Sequence, residues 1–89
     1  EYGYWDCTTA FLAAINGVLS LNRRNAVRVH APFVSRSKAD TVHLGIALNV
    51  DFAHTWSCYR GGDRACGTCP TCVERLNAFA ANGIPDPLA

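Results

Sequence analysis

Four of this chain's cysteines, Cys58, Cys66, Cys69 and Cys72, fall within fifteen positions in the pattern C-x7-C-x2-C-x2-C. No other feature constrains the fold as strongly, because four thiols this close in sequence compete for one shared partner. Four thiolates around zinc form a closed tetrahedral structural site, with Zn–S bonds near ~2.3 Å. A C-x-x-C knuckle turns its backbone tightly enough to aim two sulfurs at one ion. Gly67 gives the first knuckle that freedom, and Gly61 and Gly62 let the long loop return. Two disulfides and a [4Fe–4S] cluster compete with zinc, since C-x-x-C-x-x-C also occurs in ferredoxins. The upstream fourth cysteine weighs against the cluster. The total of five cysteines weighs against a disulfide scaffold: it is odd, and about 6% of residues where such scaffolds exceed ~8–10%. Zinc is therefore the expected occupant, one per chain. It has no open coordination position for chemistry and holds the loop 56–76 and the last helix to the body.

A staple matters at this size. A chain of 89 residues buries only ~60–65% of its unfolded surface, so its core is marginal. Eight basic against seven acidic side chains give a net charge of +1, which excludes a nucleic-acid module driven by bulk charge. Hydrophobic residues at 49% and charged residues at 17% mark a globular chain. No apolar run approaches the ~18–20 residues of a membrane span, and no signal segment opens the chain. Clustered cysteines without a secretory signal suit a reducing, cytoplasmic setting. The chain opens at Glu1 and contains no Met, so a fragment or a processed chain is expected.

Hydrophobic periodicity predicts three helices. The first follows a cap at Thr8 or Asp6, with Phe11, Ile15 and Val18 on one face and Leu12 and Leu19 flanking it. The second starts near Lys38, behind a capping box of Ser37 and Asp40, carries Ala39, Val42 and Ile46 as its stripe, and stops at Asn49. The third opens at Cys69-Pro70, presents Val73, Leu76, Phe79 and Ala80, and stops at Asn82-Gly83. Alternation over Ala26–His30 predicts one short strand, ended by Pro32. A helical turn is expected between Asp51 and Trp56.

Outside the cysteine run, the candidates are fewer. Ligands of open α/β sheets sit beyond the carboxyl ends of strands, which draws attention to His30. The start of the second helix offers free N–H groups to an anion, and Lys38, the only lysine, lies there beside Ser37. Ser37, Lys38 and His30 are therefore candidate substrate or phosphate contacts. Cys7 is a leftover thiol, read either as structural or as an active-site group. Arg23, Arg24 and Arg28 suit a solvated face, and Trp5 and Trp56 suit core or interface positions.

Several motifs together carry a family resemblance. T-W-S-C-Y (Thr55 to Tyr59) followed by A-C-G-x-C-x-x-C-x-x-R (Ala65 to Arg75) resembles the zinc loop of the 7-cyano-7-deazaguanine synthases, enzymes of queuosine biosynthesis. H-A-P-F-V-S-R-S-K-A-D from His30, L-G-x-x-L-x-V-D from Leu44 and A-F-x-x-x-G-x-x-D-P from Ala78 resemble further segments of that family. Tyr4 to Phe11, Y-W-D-C-x-x-x-F, is similar to its Y-P-D-C-x-x-x-F stretch, with Trp5 and Thr9 standing where prolines are expected.

The resemblance implies an α/β fold class of the adenine-nucleotide hydrolase-like type. These residues would be the C-terminal part of a Rossmann-like, parallel-sheet ATP-pyrophosphatase-type domain, mostly helical here, with one short strand and a four-cysteine zinc loop. It implies residues 1–89 as a single portion of that domain. It also implies an ATP-dependent carbon–nitrogen ligase that uses Mg2+, activates the carboxylate of 7-carboxy-7-deazaguanine and converts it with ammonia to the nitrile. Catalytic residues stay unassigned. The family's S-G-G-x-D-S nucleotide loop is not among these residues, so this chain alone is expected to be inactive and to need an N-terminal half as partner. A homodimer is implied, and neither nucleic acid nor membrane is. A stand-alone zinc-stabilised interaction module, or a synthase-like protein with another substrate, is the competing expectation.

Overall fold

The computed structural model describes residues 4–22, 24 and 27–89. They divide into two compact units, Glu1–Arg36 and Ser37–Ala89. No helix among the described residues is long and apolar enough to cross a membrane.

In the first unit, a 3-10 turn at Trp5–Cys7 leads into helix α1, Thr9–Leu19. Thr8 caps α1, its hydroxyl accepting from the Phe11 N–H at 3.1 Å and donating to the Trp5 carbonyl at 2.9 Å. Trp5 packs edge-on against Phe11, with centroids 5.0 Å apart. No residue of α1 is buried, and Val18 is 65% exposed. The expected stripe therefore shows only as half-buried Phe11 and Ile15. The strand expected over Ala26–His30 is not formed. Ala26 lies outside the described residues, and residues 27–30 pair with no other segment. A strand needs a ladder partner, and here a side chain substitutes for one. The Val29 N–H donates to Asn16 Oδ1 at 2.8 Å, and Asn16 Nδ2 donates to the Val29 carbonyl at 3.1 Å. Arg23 likewise lies outside the described residues; Arg24 and Arg28 are exposed.

In the second unit, helices α2, Lys38–Ala47, and α3, Pro70–Ala81, pack on each other. The capping box at Ser37 and Asp40 forms as expected: the Asp40 N–H donates to Ser37 Oγ at 3.0 Å and the Ser37 N–H to Asp40 Oδ2 at 3.2 Å. Both helices close with a Schellman motif. Asn49 at φ 60° ends α2, with the Val50 N–H donating to the Gly45 carbonyl. Gly83 at φ 70° ends α3, with Ile84 donating to the Phe79 carbonyl. The apolar core is Val42, Ala78 and Phe79, with Ala39 and Phe52 against it. Both stripes are rotated from their expected positions. Ile46 and Ala80 are exposed, while Gly45, Cys72 and Arg75 face inward. The metal-type cluster and an ion pair, not apolar content alone, decide which face of α3 is covered.

The expected helical turn is a 3-10 turn, Phe52–His54. It sets the Phe52 ring 5.0 Å from Phe79, edge to face, and close against Gly45. A Cβ on Gly45 would lie 2.5 Å from Phe52 Cζ. Gly45→Ala gains up to ~1 kcal/mol of helix propensity but overpacks this contact at a cost of about 1–3 kcal/mol. Chemical denaturation should show net destabilisation of about 1 kcal/mol. A variant more stable than the wild type would mean that the ring moves aside freely.

Candidate metal centre

The loop between the 3-10 turn and α3, together with the first turn of α3, gathers the four sulfurs. Trp56 Nε1–H donates to the Cys58 carbonyl at 2.9 Å and fixes the entry. Gly61 and Gly67 hold φ of 65° and 75°, a left-handed backbone that suits glycine. Cys69 is the N-cap of α3, and Pro70 follows it. Cys58, Cys69 and Cys72 are buried and Cys66 is half-buried; all five cysteines are free thiols, so the disulfide alternative is not formed. The Sγ atoms of Cys58, Cys66, Cys69 and Cys72 all lie within 4.8 Å of one another. Cys66 and Cys72 are 3.9 Å apart. A tetrahedron with ~2.3 Å metal–sulfur bonds has edges of about 3.8 Å, so a single soft ion fits this set.

Hydrogen bonds prepare the sulfurs unequally. Cys66 Sγ accepts from the Thr68 N–H at 3.4 Å and the Cys69 N–H at 3.2 Å. These bonds bring the Cys66 thiol down to about 7. Cys69 is held lower, at about 5, first by the Thr71 hydroxyl 3.2 Å away and then by the N–H groups of Tyr59 and Cys72. Cys72 moves the other way. Burial pushes it up to about 12, against the Gly67 N–H and with added resistance from the neighbouring sulfurs. Burial thus outweighs the helix-start position that would favour its thiolate. A cation among the sulfurs reverses that balance.

Beside the cluster, on α3, lies a second polar centre. Arg75 is buried, with its Nε donating to Asp86 Oδ2 at 2.7 Å and Nη2 to Asp86 Oδ1 at 3.0 Å. Nη1 donates to Thr55 Oγ1 at 2.8 Å and Nη2 to the Phe52 carbonyl at 3.0 Å. Its guanidinium also sits 5.3 Å from the Phe79 ring centroid. Burial raises the Asp86 carboxyl, but hydrogen bonds from Arg75 and the Leu88 N–H, with the Arg75 charge, outweigh it and leave the group below its ordinary value. Neither residue carries a sequence pattern that marks it as half of a buried pair. The available signal was a lone arginine three residues after the last cysteine, on an otherwise inward face.

Of the remaining candidates, Ser37 and Lys38 belong to the second unit, His30 and Cys7 to the first. Ser37 is occupied by its capping box. Lys38 lines a cavity of about 140 Å³ with Thr41, Phe52, Thr55, Ser57 and Arg75 among others. His30 belongs to the first unit and is exposed. Cys7 is exposed, its Sγ 3.8 Å from Asp6 Oδ1.

A family model described as Queuosine biosynthesis protein QueC matches residues 1–83. The chain belongs to the QueC family. It is 51% identical over 86 residues to the 7-cyano-7-deazaguanine synthase of Archaeoglobus fulgidus, a match covering 96% of this chain and 36% of that protein. The synthases of Marinobacter nauticus and a Ruegeria species are 44% and 49% identical over 86 residues, covering 97% and 94% of this chain and 39% and 37% of theirs. The chain thus spans little more than a third of the length of these relatives. No solved structure matches it significantly.

Proposed function

We propose that this chain is the zinc-bearing C-terminal portion of a 7-cyano-7-deazaguanine synthase. The observation that carries the reading is the match to the QueC family over residues 1–83. In this reading the whole protein is a cytoplasmic ATP-dependent ligase of α/β, nucleotide-hydrolase-like fold. It uses ATP with Mg2+ to activate 7-carboxy-7-deazaguanine, and ammonia then yields 7-cyano-7-deazaguanine. Residues 1–89 form one portion of that domain, the ATP-binding loop lies in an N-terminal partner segment, and the enzyme pairs as a homodimer. Zinc is bound by Cys58, Cys66, Cys69 and Cys72. The sulfur separations support one ion over an iron–sulfur cube, whose thiolates must stand outside a much larger core. Ser37, Lys38 and His30 take the substrate or phosphate contacts, with the α2 N-terminus supplying N–H groups and positive dipole.

The test uses the full-length protein with 7-carboxy-7-deazaguanine, ammonia and Mg-ATP, read by mass spectrometry. The nitrile product and ATP cleavage are expected together. An ATP-dependent product from another acid, with none from this one, would replace the substrate and keep the ligase. Absence of any ATP cleavage would favour the interaction module. The 89-residue chain by itself should show no micromolar Mg-ATP binding in calorimetry.

A further inference from the structure

Thr71 stands between the two arms of the sulfur cluster. Its Oγ1 lies 3.2 Å from Cys69 Sγ and donates to the Ser57 carbonyl at 2.7 Å. Ser57 directly precedes Cys58, so one hydroxyl touches a sulfur of the knuckle and the backbone of the arm carrying the upstream cysteine. The side chain is half-buried on the first turn of α3. Cys66 has a comparable set of donors in the Thr68 N–H, the Thr68 hydroxyl and the Cys69 N–H, but all of them come from its own knuckle. The Cys66 N–H to Cys58 Sγ at 3.4 Å and the Tyr59 N–H at the Cys69 sulfur also cross between the two arms, and Thr71 adds a bond to the backbone just ahead of Cys58, fourteen residues away.

We propose that Thr71 is a positioning residue of the metal centre, its hydroxyl resting against the Cys69 sulfur and, through its one proton, locking the Ser57–Cys58 arm at the spacing one soft divalent ion requires. This rests on the metal reading above. Groups that hydrogen-bond to metal ligands orient them and tune their basicity, and removing one lowers metal affinity by ~10–100-fold. Valine matches threonine in shape and lacks the hydroxyl. Serine keeps the hydroxyl and lacks the methyl. The two substitutions thus separate hydrogen bonding from packing.

The experiment is competition for Zn2+ against a chromophoric chelator, with Co2+ spectra of the same full-chain proteins. Thr71→Val is expected to bind zinc ~10–100-fold more weakly than wild type. Its cobalt d–d bands should shift, because a Cys58 arm no longer tied through the Ser57 carbonyl distorts the tetrahedral site. Thr71→Ser should retain both the affinity and the bands. The band energies do not depend on how much protein is loaded, so they report even on a poorly folding valine variant. A Thr71→Val protein within about twofold of wild type in affinity, with unshifted bands, overturns the proposal. So does a serine variant as weak as the valine one, which would assign the effect to the methyl group. Wild-type protein that binds neither metal through thiolates overturns the metal reading and this proposal together.

Discussion

Stripping the metal should unfold the 56–76 loop while leaving the α2 capping box formed. The loop has almost no apolar content to fall back on: between Cys58 and Cys69, only Tyr59, Ala65 and Cys66 are hydrophobic, and Tyr59 is 69% exposed. Its own cluster of buried residues consists of cysteines alone. Binding energy at such a site is folding energy. After chelation, amide exchange across 56–76 should accelerate by ~10³-fold or more, with α3 fraying from its Cys69 cap. Cys72→Ser should reproduce this in the presence of zinc, because Cys72 is the most enclosed of the four and a hydroxyl is a poor replacement for its thiolate. Elemental analysis should give one zinc and no iron per wild-type chain. Unchanged exchange after complete chelation, or a cysteine variant that keeps full metal content and protection, would remove the structural role. Affinity should fall as pH drops, since the ligands must shed protons to bind.

Breaking the Arg75–Asp86 pair should cost about 3–5 kcal/mol, a large part of what a small folded unit possesses. The side chains are 9% and 4% exposed, so neither charge can recover its hydration if the other is removed. Asp86→Asn leaves the guanidinium with a neutral acceptor. Arg75→Met leaves the carboxylate buried with the Leu88 N–H but without its counter-charge. Arg75→Lys is no repair, because an ammonium cannot reach Asp86, Thr55 and the Phe52 carbonyl together. The double variant Arg75→Met with Asp86→Leu should lose less than either single variant, since no unpaired charge remains. Urea denaturation of the metal-loaded protein measures each cost, and an Asp86→Asn loss below about 1 kcal/mol would show that the pair is dispensable.

The same pair sets a pH window. The folded carboxyl is depressed below the unfolded value of about 3.9, so its stabilisation is fully present above pH ~4. It is lost only as pH falls further, through the folded value. The Asp86 component of acid unfolding should therefore begin below pH ~4, and the Asp86→Asn protein should lack it.

The second unit was largely legible from sequence because its signals are local. Ser37 and Asp40 are three residues apart and satisfy each other's backbone, Pro70 suits a first helical position, and Asn49 and Gly83 accept the left-handed conformation that ends a helix. The four-cysteine cluster was legible for the same reason: its spacing is short enough that the knuckle backbone converges the sulfurs without help from distant chain. The first unit was legible only as far as α1 and its Thr8 cap. Alternation at 27–30 describes a strand's side chains but cannot supply the partner its backbone needs, and Asn16 took that place.

Which face each helix covers was decided by tertiary structure. Periodicity scores apolar residues, and it put Ile46 and Ala80 inward. In the folded unit, Gly45 admits the Phe52 ring and Arg75 turns inward because Asp86, Thr55 and the Phe52 carbonyl satisfy all three of its nitrogens. A charge is buried only where its partners already stand, and those partners lie eleven to twenty-three residues away. Thr71 has no local signal for the same reason, since its role depends on Ser57, fourteen residues upstream. Chain spacing could converge the sulfurs, but only the packed fold could bring together the groups that hold them there.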